Sequence, residues 1–285
     1  SYFFRLFQVK ENYRLQKYKT TSAFFCRSEG FLLRNESANN LFWEVAKYFS
    51  EDGRVWAANL FSNGEIILCA IQTKSGYVLL STGNKSAVRA LATRLRKDAP
   101  DVRGVLGPTE QCTNFVDAWF GTKAKNSFEK KNFRIYELSN VQGNSCQNSE
   151  MGMVRAGSLE WPRIRLWAES FAKEAVPPIS QTATTSMARK ILDNGNFYIL
   201  RKNSQSCGMA GFGRSTPNRL VVNMVYVPEN QRHRGYGKLI ARHMSIIAAK
   251  RGYSSCILFS DHKGENLYEK LGGSIIGEFS EVSFF

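Results

Sequence analysis

Apolar residues recur along the 285-residue chain in two alternating patterns, one with the period of helices and one with that of strands. In the first half, a helix-like pattern over residues 37–50 precedes three strand-like runs at 55–61, 65–72 and 77–81. The patterns that follow predict a helix over 86–97, a strand over 102–106, a helix over 109–120 and a strand over 133–138. The predicted order of elements is αβββαβαβ.

After a polar interruption, the second half repeats this order of elements from its first helices onward. Residues 139–152, SNVQGNSCQNSEMG, replace the apolar periodicity with polar residues and glycines, which is typical of a linker. Beyond it the pattern predicts a strand at 153–156, helices at 160–174 and 181–192, strands at 197–201, 208–213 and 220–227, a helix at 235–251, a strand at 256–259, a helix at 265–271 and strands at 274–277 and 281–285. We predict two α/β domains, 1–138 and 153–285, which are either an internal duplication or two unrelated domains.

The chain carries a formal net charge of +15, from 39 lysines and arginines and 24 acidic residues. This charge favours an anionic small ligand, a nucleic acid or a membrane surface, and it also fits an ordinary basic surface. The six cysteines are widely spaced and form no CxxC pair, so we expect reduced, buried thiols in a cytoplasmic protein without a metal site. No apolar run in the sequence reaches the roughly 18 to 20 residues of a membrane-spanning helix.

Residues 225–244, VYVPENQRHRGYGKLIARHM, place glycines and positive charge between a predicted strand and a predicted helix. The unpaired N–H groups and the dipole of a helix N-terminus favour an anion, and Gly235 and Gly237 would let phosphate oxygens approach the backbone. Two glycines alone also fit an ordinary tight turn. Here, however, they are surrounded by the basic side chains of Arg232, His233, Arg234 and Lys238. The segment therefore predicts a pyrophosphate site.

The stretch RHRGYG also matches the Arg/Gln-x-x-Gly-x-Gly/Ala signature of the GNAT acyltransferase superfamily, through Arg232, Gly235 and Gly237. Its spacing differs from that of a P-loop or a Rossmann fingerprint. Downstream, NLYEKLGG at 266–273 resembles the late tyrosine motif of the same superfamily. Stretches in both halves, among them VRAGSLEWPRIRLWAESFAKEA and GVLGPTEQCTNFVDAW, resemble the two-domain predicted acetyltransferases common in bacteria.

This resemblance implies a mixed-sheet GNAT fold for the C-terminal half and a degenerate GNAT-like fold for the N-terminal half. In the first half, LSTGNKSAV at 80–88 retains one glycine and one lysine where the pyrophosphate loop would be. In the second half, the strands at 220–227 and 256–259 would separate to form a cleft for the pantetheine arm of acetyl-CoA. The implied cofactor-binding residues are Val225, Tyr226, Val227, Arg232, His233, Arg234, Gly235, Tyr236, Gly237, Lys238 and Asn266.

The resemblance also suggests catalytic roles. Tyr268 takes the position of the general acid that protonates the departing thiolate. Many members of the superfamily carry a glutamate on the fourth strand as general base, but this chain has Asn223 on that strand. Glu174 and Glu281 are therefore the candidates for the base, although both also fit ordinary surface carboxylates.

We predict an N-acetyltransferase that moves an acetyl group from acetyl-CoA to a primary amine of a small molecule or a protein, by direct attack within a ternary complex. A non-catalytic acyl-CoA sensor is the alternative that the missing strand glutamate would suit. A nucleic-acid-binding module would suit the charge, but the basic residues are scattered over both halves and form no single stripe with interleaved aromatics. The sequence specifies neither the amine nor the oligomeric state.

Overall fold

The computed structural model describes residues 13–49, 56–98, 101–121, 127–139, 151–175, 178–261 and 267–285. These residues form α-helices and mixed β-sheets, as predicted for an α/β protein. The chain divides into two compact units. Unit 1 contains Ser1–Asn132 together with Glu278–Phe285, and unit 2 contains Phe133–Gly277.

Unit 1 builds its sheet from the first half of the chain. Its elements are β1 (Arg14–Tyr18), α1 (Thr21–Leu33), α2 (Leu41–Phe49), β2 (Ala57–Ser62), β3 (Glu65–Gln72), β4 (Tyr77–Leu80), α3 (Lys85–Asp98), β5 (Gly104–Pro108) and α4 (Thr109–Phe120). Strands β1 to β4 are antiparallel neighbours, and β4 then pairs in parallel with β5. The core lies between this sheet and the buried aliphatic face of α3, which includes Val88, Leu91 and Leu95.

Unit 2 has the same arrangement. Its elements are the second part of β6 (Phe128–Ser139), then β7 (Met151–Arg155), α5 (Trp161–Glu174), α6 (Gln181–Asp193), β8 (Phe197–Lys202), β9 (Gln205–Ser215), β10 (Arg219–Tyr226), α7 (Tyr236–Lys250), β11 (Ser255–Asp261) and the first part of β12 (Ser274–Phe284). Strands β7 to β10 are antiparallel neighbours, and β10 pairs in parallel with β11. The α7 side chains Ile240, Met244 and Ala248 are buried against this sheet.

Each unit completes its sheet with a strand from the other half of the sequence. In unit 2, residues 133–139 of β6 pair antiparallel with β11, and in unit 1, residues 279–283 of β12 pair antiparallel with β5. The compact units therefore divide the chain differently from the expected domains 1–138 and 153–285. An alternating apolar strand pattern shows that one face is buried, but it does not identify the sheet that the strand joins.

Several elements differ from the sequence prediction. The pattern did not indicate β1 or α1, and the two expected final strands form one strand, β12. In α1 the buried positions are Phe24, Ser28 and Leu32, so a serine interrupts the apolar stripe at the position where it hydrogen-bonds to Asn59. The helix expected over 265–271 contains a short 3-10 turn at Glu269–Leu271, and residues 262–266 lie outside the described part of the chain.

The thiols are mostly buried, as expected. Among the described cysteines, which are all free, Cys69, Cys112, Cys207 and Cys256 are buried, whereas Cys26 is exposed, contrary to the expectation. Cys146 lies outside the described residues. In the part of the chain that the structure describes, no helix combines the length and the apolar character needed to cross a bilayer.

Candidate functional site

The central feature of unit 2 is a parallel strand pair that separates part of the way along. The ladder between β10 and β11 runs from Arg219 opposite Ser255 to Val222 opposite Leu258. Within the described residues it ends there, although β10 continues to Tyr226 beside β9 and β11 continues to Asp261 beside β6. Two strands that lose their shared hydrogen bonds leave backbone groups facing a gap. This gap is the cleft expected between residues 220–227 and 256–259.

A β-bulge in β10 turns the strand away from β11. Asn223 pairs with Gly211 and Tyr226 with Met209, so β10 has one more residue than β9 in this interval. Within it Met224 has a φ of 55°, which is uncommon for a residue with a side chain. Such bulges increase the local twist and bend of the strand. The bulge therefore accounts for the separation of the two parallel strands.

The strand β10 leads into the glycine-containing loop and then into α7. After Pro228, a 3-10 turn spans Glu229–Gln231, and the chain then passes through His233, whose φ is 61°. Gly235 occupies the N-cap of α7 with a φ of 78°, and no side chain caps this end of the helix. The N–H groups of the first turn are thus available to an anion at the positive end of the helix dipole.

The surroundings of the two glycines leave room for a ligand. A Cβ atom added at Gly235 would meet no heavy atom within 4 Å, and one at Gly237 would meet only Leu267 Cδ2, at 3.4 Å. His233, Arg234 and Lys238 are exposed around this turn, while Tyr236 is buried beneath it. A pyrophosphate therefore fits the open side of the loop both sterically and electrostatically.

Arg232 makes specific bonds within the protein in addition to contributing positive charge. Its Nε donates a 2.9 Å hydrogen bond to the carbonyl oxygen of Val227, and its Nη2 forms an ion pair with Glu174 Oε2. Glu174 Oε1 accepts a 3.0 Å hydrogen bond from the hydroxyl of Tyr226. We call Tyr226, Glu174 and Arg232 the anchor cluster, because it connects the end of α5 to β10 and to the loop.

The anchor cluster is partly shielded from water. The Tyr226 ring is buried against Trp167 and Phe171 of α5, and the Arg232 guanidinium lies 5.7 Å from the centroid of that ring. Burial, followed by the hydrogen bond to Glu174, raises the pKa of the Tyr226 hydroxyl. Burial opposes the charge of Arg232, but the Glu174 carboxylate outweighs this effect and raises the pKa of the guanidinium. The arginine is therefore charged and the tyrosine is neutral at physiological pH.

Tyr268 lies at the start of the 3-10 turn Glu269–Leu271, with its partly buried side chain packed against the core of unit 2. Its ring contacts the ring of Tyr136 with 5.4 Å between centroids. Its carbonyl oxygen accepts hydrogen bonds from the N–H groups of Leu271 and Gly273. A Cβ at Gly273 would lie 2.7 Å from that oxygen, so this tight turn requires glycine. Asn266, the remaining predicted cofactor ligand, lies outside the described residues.

The two predicted carboxylates belong to different units. Glu174 belongs to the anchor cluster in unit 2, whereas Glu281 lies in unit 1, opposite Leu106 of β5. The Asn223 side chain on β10 donates a 3.9 Å hydrogen bond to the sulfur of Met187 on α6. Among the described residues, no group of three or more His, Cys, Asp or Glu side chains is placed to hold a metal ion.

Sequence reasoning missed the side-chain role of Tyr226, which it placed in the site only by its backbone. Glu174 is 52 positions from Tyr226 and 58 positions from Arg232 in the sequence, so no local periodicity signals their contact. The one available signal was Glu174 at the C-terminal end of its helix, where a carboxylate is disfavoured by the helix dipole unless a cation compensates it.

In unit 1, the loop between β4 and α3 (residues 81–84) corresponds to the 232–238 loop of unit 2, and side chains of the protein itself occupy the space around it. The Thr82 N–H donates to Asn39 Oδ1 at 3.0 Å, and the Gly83 carbonyl accepts from Gln111 Nε2 at 2.8 Å. A Cβ at Gly83 would lie 2.7 Å from Leu68 Cδ1. The parallel strands also stay close, because a Cβ at Gly107 of β5 would lie 2.7 Å from the Leu80 carbonyl oxygen of β4.

A mixed sheet whose central parallel strands separate in front of a glycine-containing helix N-terminus defines the GNAT class of α/β folds. Residues 193–272 match the family model described as an acetyltransferase (GNAT) domain. This segment runs from the end of α6 to the turn after Tyr268, so it includes the cleft and the loop. This match confirms the predicted resemblance of the second half of the chain to the GNAT superfamily.

Solved structures of GNAT proteins are similar over nearly the whole chain. An acetyltransferase of the GNAT family from Colwellia psychrerythraea is 13% identical, with a TM-score of 0.57 over 95% of this chain and 100% of its own. A GCN5-related N-acetyltransferase from Sphaerobacter thermophilus is 10% identical, with a TM-score of 0.60 over 95% of both chains. A tandem GNAT protein from the clavulanic acid biosynthesis pathway is 10% identical, with a TM-score of 0.55 over 96% of this chain and 98% of its own. The search of curated proteins gave no significant match.

These similarities confirm the predicted fold class. Unit 2 has the mixed-sheet GNAT fold, and unit 1 has a GNAT-like fold whose loop after β4 is closed.

Proposed function

We propose that the protein is an acetyl-CoA-dependent N-acetyltransferase that acetylates a primary amine of a small molecule or a protein. One observation carries this proposal. The β10–β11 ladder ends at Val222 and Leu258, beside a helix N-terminus that has no side-chain cap and has open space over Gly235 and Gly237. An extended, hydrogen-bonding arm ending in a pyrophosphate fits these two features together.

The proposed binding mode assigns one part of the cofactor to each feature. The amides and cations of residues 232–238 bind the pyrophosphate. The backbone of Val225 to Val227 binds the pantetheine arm as an added strand would. Since the Val227 carbonyl oxygen already accepts a bond from Arg232, the remaining polar groups of this segment supply the contacts to the arm.

In the proposed reaction, the nitrogen of a neutral amine attacks the thioester carbonyl carbon. The resulting oxyanion is stabilised by an N–H donor of β10, such as that of Val225. The carbon–sulfur bond then breaks and the Tyr268 hydroxyl protonates the departing thiolate. The attacking nitrogen loses its extra proton to water, and the Tyr268 phenolate regains a proton from water, so the enzyme is restored. No covalent enzyme intermediate is needed, so both substrates must be bound together.

Replacing Tyr268 by phenylalanine tests the assigned general acid. The ring contact with Tyr136 is retained and only the hydroxyl is lost, so we expect a fall in kcat of about 10² to 10⁴ with little change in acetyl-CoA affinity. Tyr253, another partly buried tyrosine against the same core, provides the matched control, because Tyr253→Phe should leave kcat unchanged. Near-normal turnover of a folded Tyr268→Phe enzyme would show that this tyrosine only packs.

The placement of the carboxylates supports a second candidate function, a non-catalytic acyl-CoA sensor. The Glu174 carboxylate is engaged by the Tyr226 hydroxyl and the Arg232 guanidinium, and the strand β10 carries Asn223 where many members of the superfamily have a glutamate. Calorimetry with acetyl-CoA, combined with a free-thiol assay over amines, peptides and aminoglycosides, separates the two functions. An acetyltransferase binds the cofactor and releases CoA with an acceptor, whereas a sensor binds it without release. Absence of binding would contradict both.

A further inference from the structure

The anchor cluster suggests a role for Glu174 that differs from acid–base catalysis. Its two carboxylate oxygens are occupied by different partners, the Tyr226 hydroxyl and the Arg232 guanidinium. If Glu174 took up a proton from the amine, it would lose the ion pair with Arg232, and such a loss opposes base catalysis. The same geometry makes Glu174 a fixed point between α5, β10 and the loop.

Arg232 connects Glu174 to the loop. Its Nε bond to the Val227 carbonyl spans the turn from the end of β10 to the start of the pyrophosphate loop. The planar guanidinium holds both bonds at once, which an ammonium group cannot do in the same geometry. The turn includes His233 in a left-handed conformation, which persists only when neighbouring structure fixes it.

We infer that Glu174 is a positioning residue: acting through Arg232, it holds the 232–238 loop in the conformation that binds the pyrophosphate. This inference rests on the proposed function, because it concerns the acetyl-CoA site. It assigns Arg232 to the support of the loop, and it assigns the direct attraction of phosphate to the exposed cations and the amides at the start of α7. The contribution of the cluster is pre-organisation, since a loop that is already ordered loses less entropy on binding.

Two variants test the inference from opposite sides. Glu174→Gln keeps the size of the side chain and an acceptor for Tyr226 but removes the ion pair. Arg232→Lys keeps the positive charge of the loop but cannot reproduce both hydrogen bonds. If Arg232 acted only as a charge, Arg232→Lys would bind acetyl-CoA like the wild type. The positioning role instead predicts that both variants bind acetyl-CoA about five- to tenfold more weakly, equivalent to about 1 to 1.4 kcal/mol.

A matched control comes from the same helix. Glu169 on α5 forms an ion pair with Arg165 of the same helix, four positions away, at 2.9 Å. Glu169→Gln should therefore leave acetyl-CoA affinity unchanged. Melting temperatures measured for every variant identify any that fail to fold, and either Glu174→Gln or Arg232→Lys alone is sufficient for the test.

Two further measurements separate positioning from catalysis. Hydrogen exchange of the amides at 233–238 should be faster in Glu174→Gln than in the wild type, because the loop has lost its support. With a productive amine, the variant should show a raised KM for acetyl-CoA and a kcat with an unchanged pH profile. A general base would instead lose about 10² to 10⁴ in kcat together with one limb of that profile.

The result that would overturn the inference is wild-type acetyl-CoA affinity in folded Glu174→Gln and Arg232→Lys. This outcome is distinct from failure of the proposed function, in which the wild-type protein itself would not bind acetyl-CoA by calorimetry.

Discussion

At the scale of single residues, Gly237 offers a direct test of the anion site. The space around it accommodates one methyl group, since an added Cβ would meet only Leu267 Cδ2 at 3.4 Å. Alanine is moreover accepted at this position of the signature, and it favours a helix by about 0.5 to 1 kcal/mol over glycine. Valine would place two further methyl groups over the amides of the first turn. The size of the side chain at position 237, and not a loss of the fold, should therefore determine the affinity for acetyl-CoA.

We expect Gly237→Val to weaken acetyl-CoA binding at least about tenfold, equivalent to about 1.4 kcal/mol. Gly237→Ala is the control: it should keep the wild-type affinity and melt at or slightly above the wild-type temperature. Calorimetry and thermal unfolding of the two variants measure both quantities. Unchanged affinity in a folded Gly237→Val protein would contradict the placement of the pyrophosphate on this loop.

Cys256 gives a pH-dependent prediction. Burial raises the pKa of its thiol from 9.0 to about 12, so the folded protein holds the thiol proton more tightly than the unfolded chain. The associated stabilisation is complete below pH 9 and is lost as the pH rises toward 12, at about 1.4 kcal/mol per pH unit. In Cys256→Ala this loss is absent, so the melting-temperature gap to the wild type should narrow between about pH 8 and about pH 11. Melting curves of the two proteins that stay parallel across this pH range would contradict the prediction.

At the scale of secondary-structure elements, β6 and β12 are exchanged, because each completes the sheet of the unit built mainly from the other half of the chain. This exchange determines which segments can fold. In unit 2, residues 133–139 of β6 pair with β11 along its whole length, and Ile135, Tyr136 and Leu138 are almost completely buried. The Glu137 carboxylate accepts a 2.8 Å hydrogen bond from Ser255 and lies 3.1 Å from Arg219. Burying each of these apolar side chains contributes about 1.5 to 3 kcal/mol, a large share of the stability of one domain.

We therefore expect a fragment of residues 133–277 to unfold cooperatively and to bind acetyl-CoA. A fragment of residues 151–277, which starts at β7 and lacks β6, should not fold, because the edge of β11 and the apolar face beneath it would be exposed. Circular dichroism melting and calorimetry distinguish the two fragments. A cooperative transition in the shorter fragment would show that β6 is dispensable for unit 2.

These elements also show what the sequence could predict. The strand–loop–helix at 219–250 was predictable, because its apolar periods, proline, glycines and cations all lie within about thirty adjacent positions. The helix α1 was not, because Ser28 is buried by pairing with Asn59, which is 31 residues away. The ion pair of Glu174 and the partners of β6 and β12 depend on contacts of the same long-range kind. Local pattern was sufficient to predict an anion site, whereas the contacts that support its loop are visible only in the tertiary structure.

At the scale of the whole molecule, the two units have one topology but different capacities. In each, four antiparallel strands are followed by a parallel neighbour and then by an exchanged antiparallel strand. In unit 2 the parallel pair separates, whereas in unit 1 Gly107 lies against the Leu80 carbonyl. The groups of unit 1 that would face a ligand are bonded to Asn39 and Gln111. Shared topology therefore does not imply two sites.

We expect one molecule of acetyl-CoA to bind per chain. Unit 1 could accept a pyrophosphate only by displacing the side chains of Asn39, Gln111 and Leu68, which would break two hydrogen bonds and expose apolar surface. Calorimetry of the full chain should give a stoichiometry near one. In Gly237→Val, binding should be reduced and the titration should show no second acetyl-CoA site with unchanged affinity. Lys238→Gln should weaken binding because this cation lies in the first turn of α7, while Lys85→Gln, at the start of α3, should have no effect. Two bound cofactors per chain, or sensitivity to Lys85→Gln, would show that unit 1 opens its loop to the ligand.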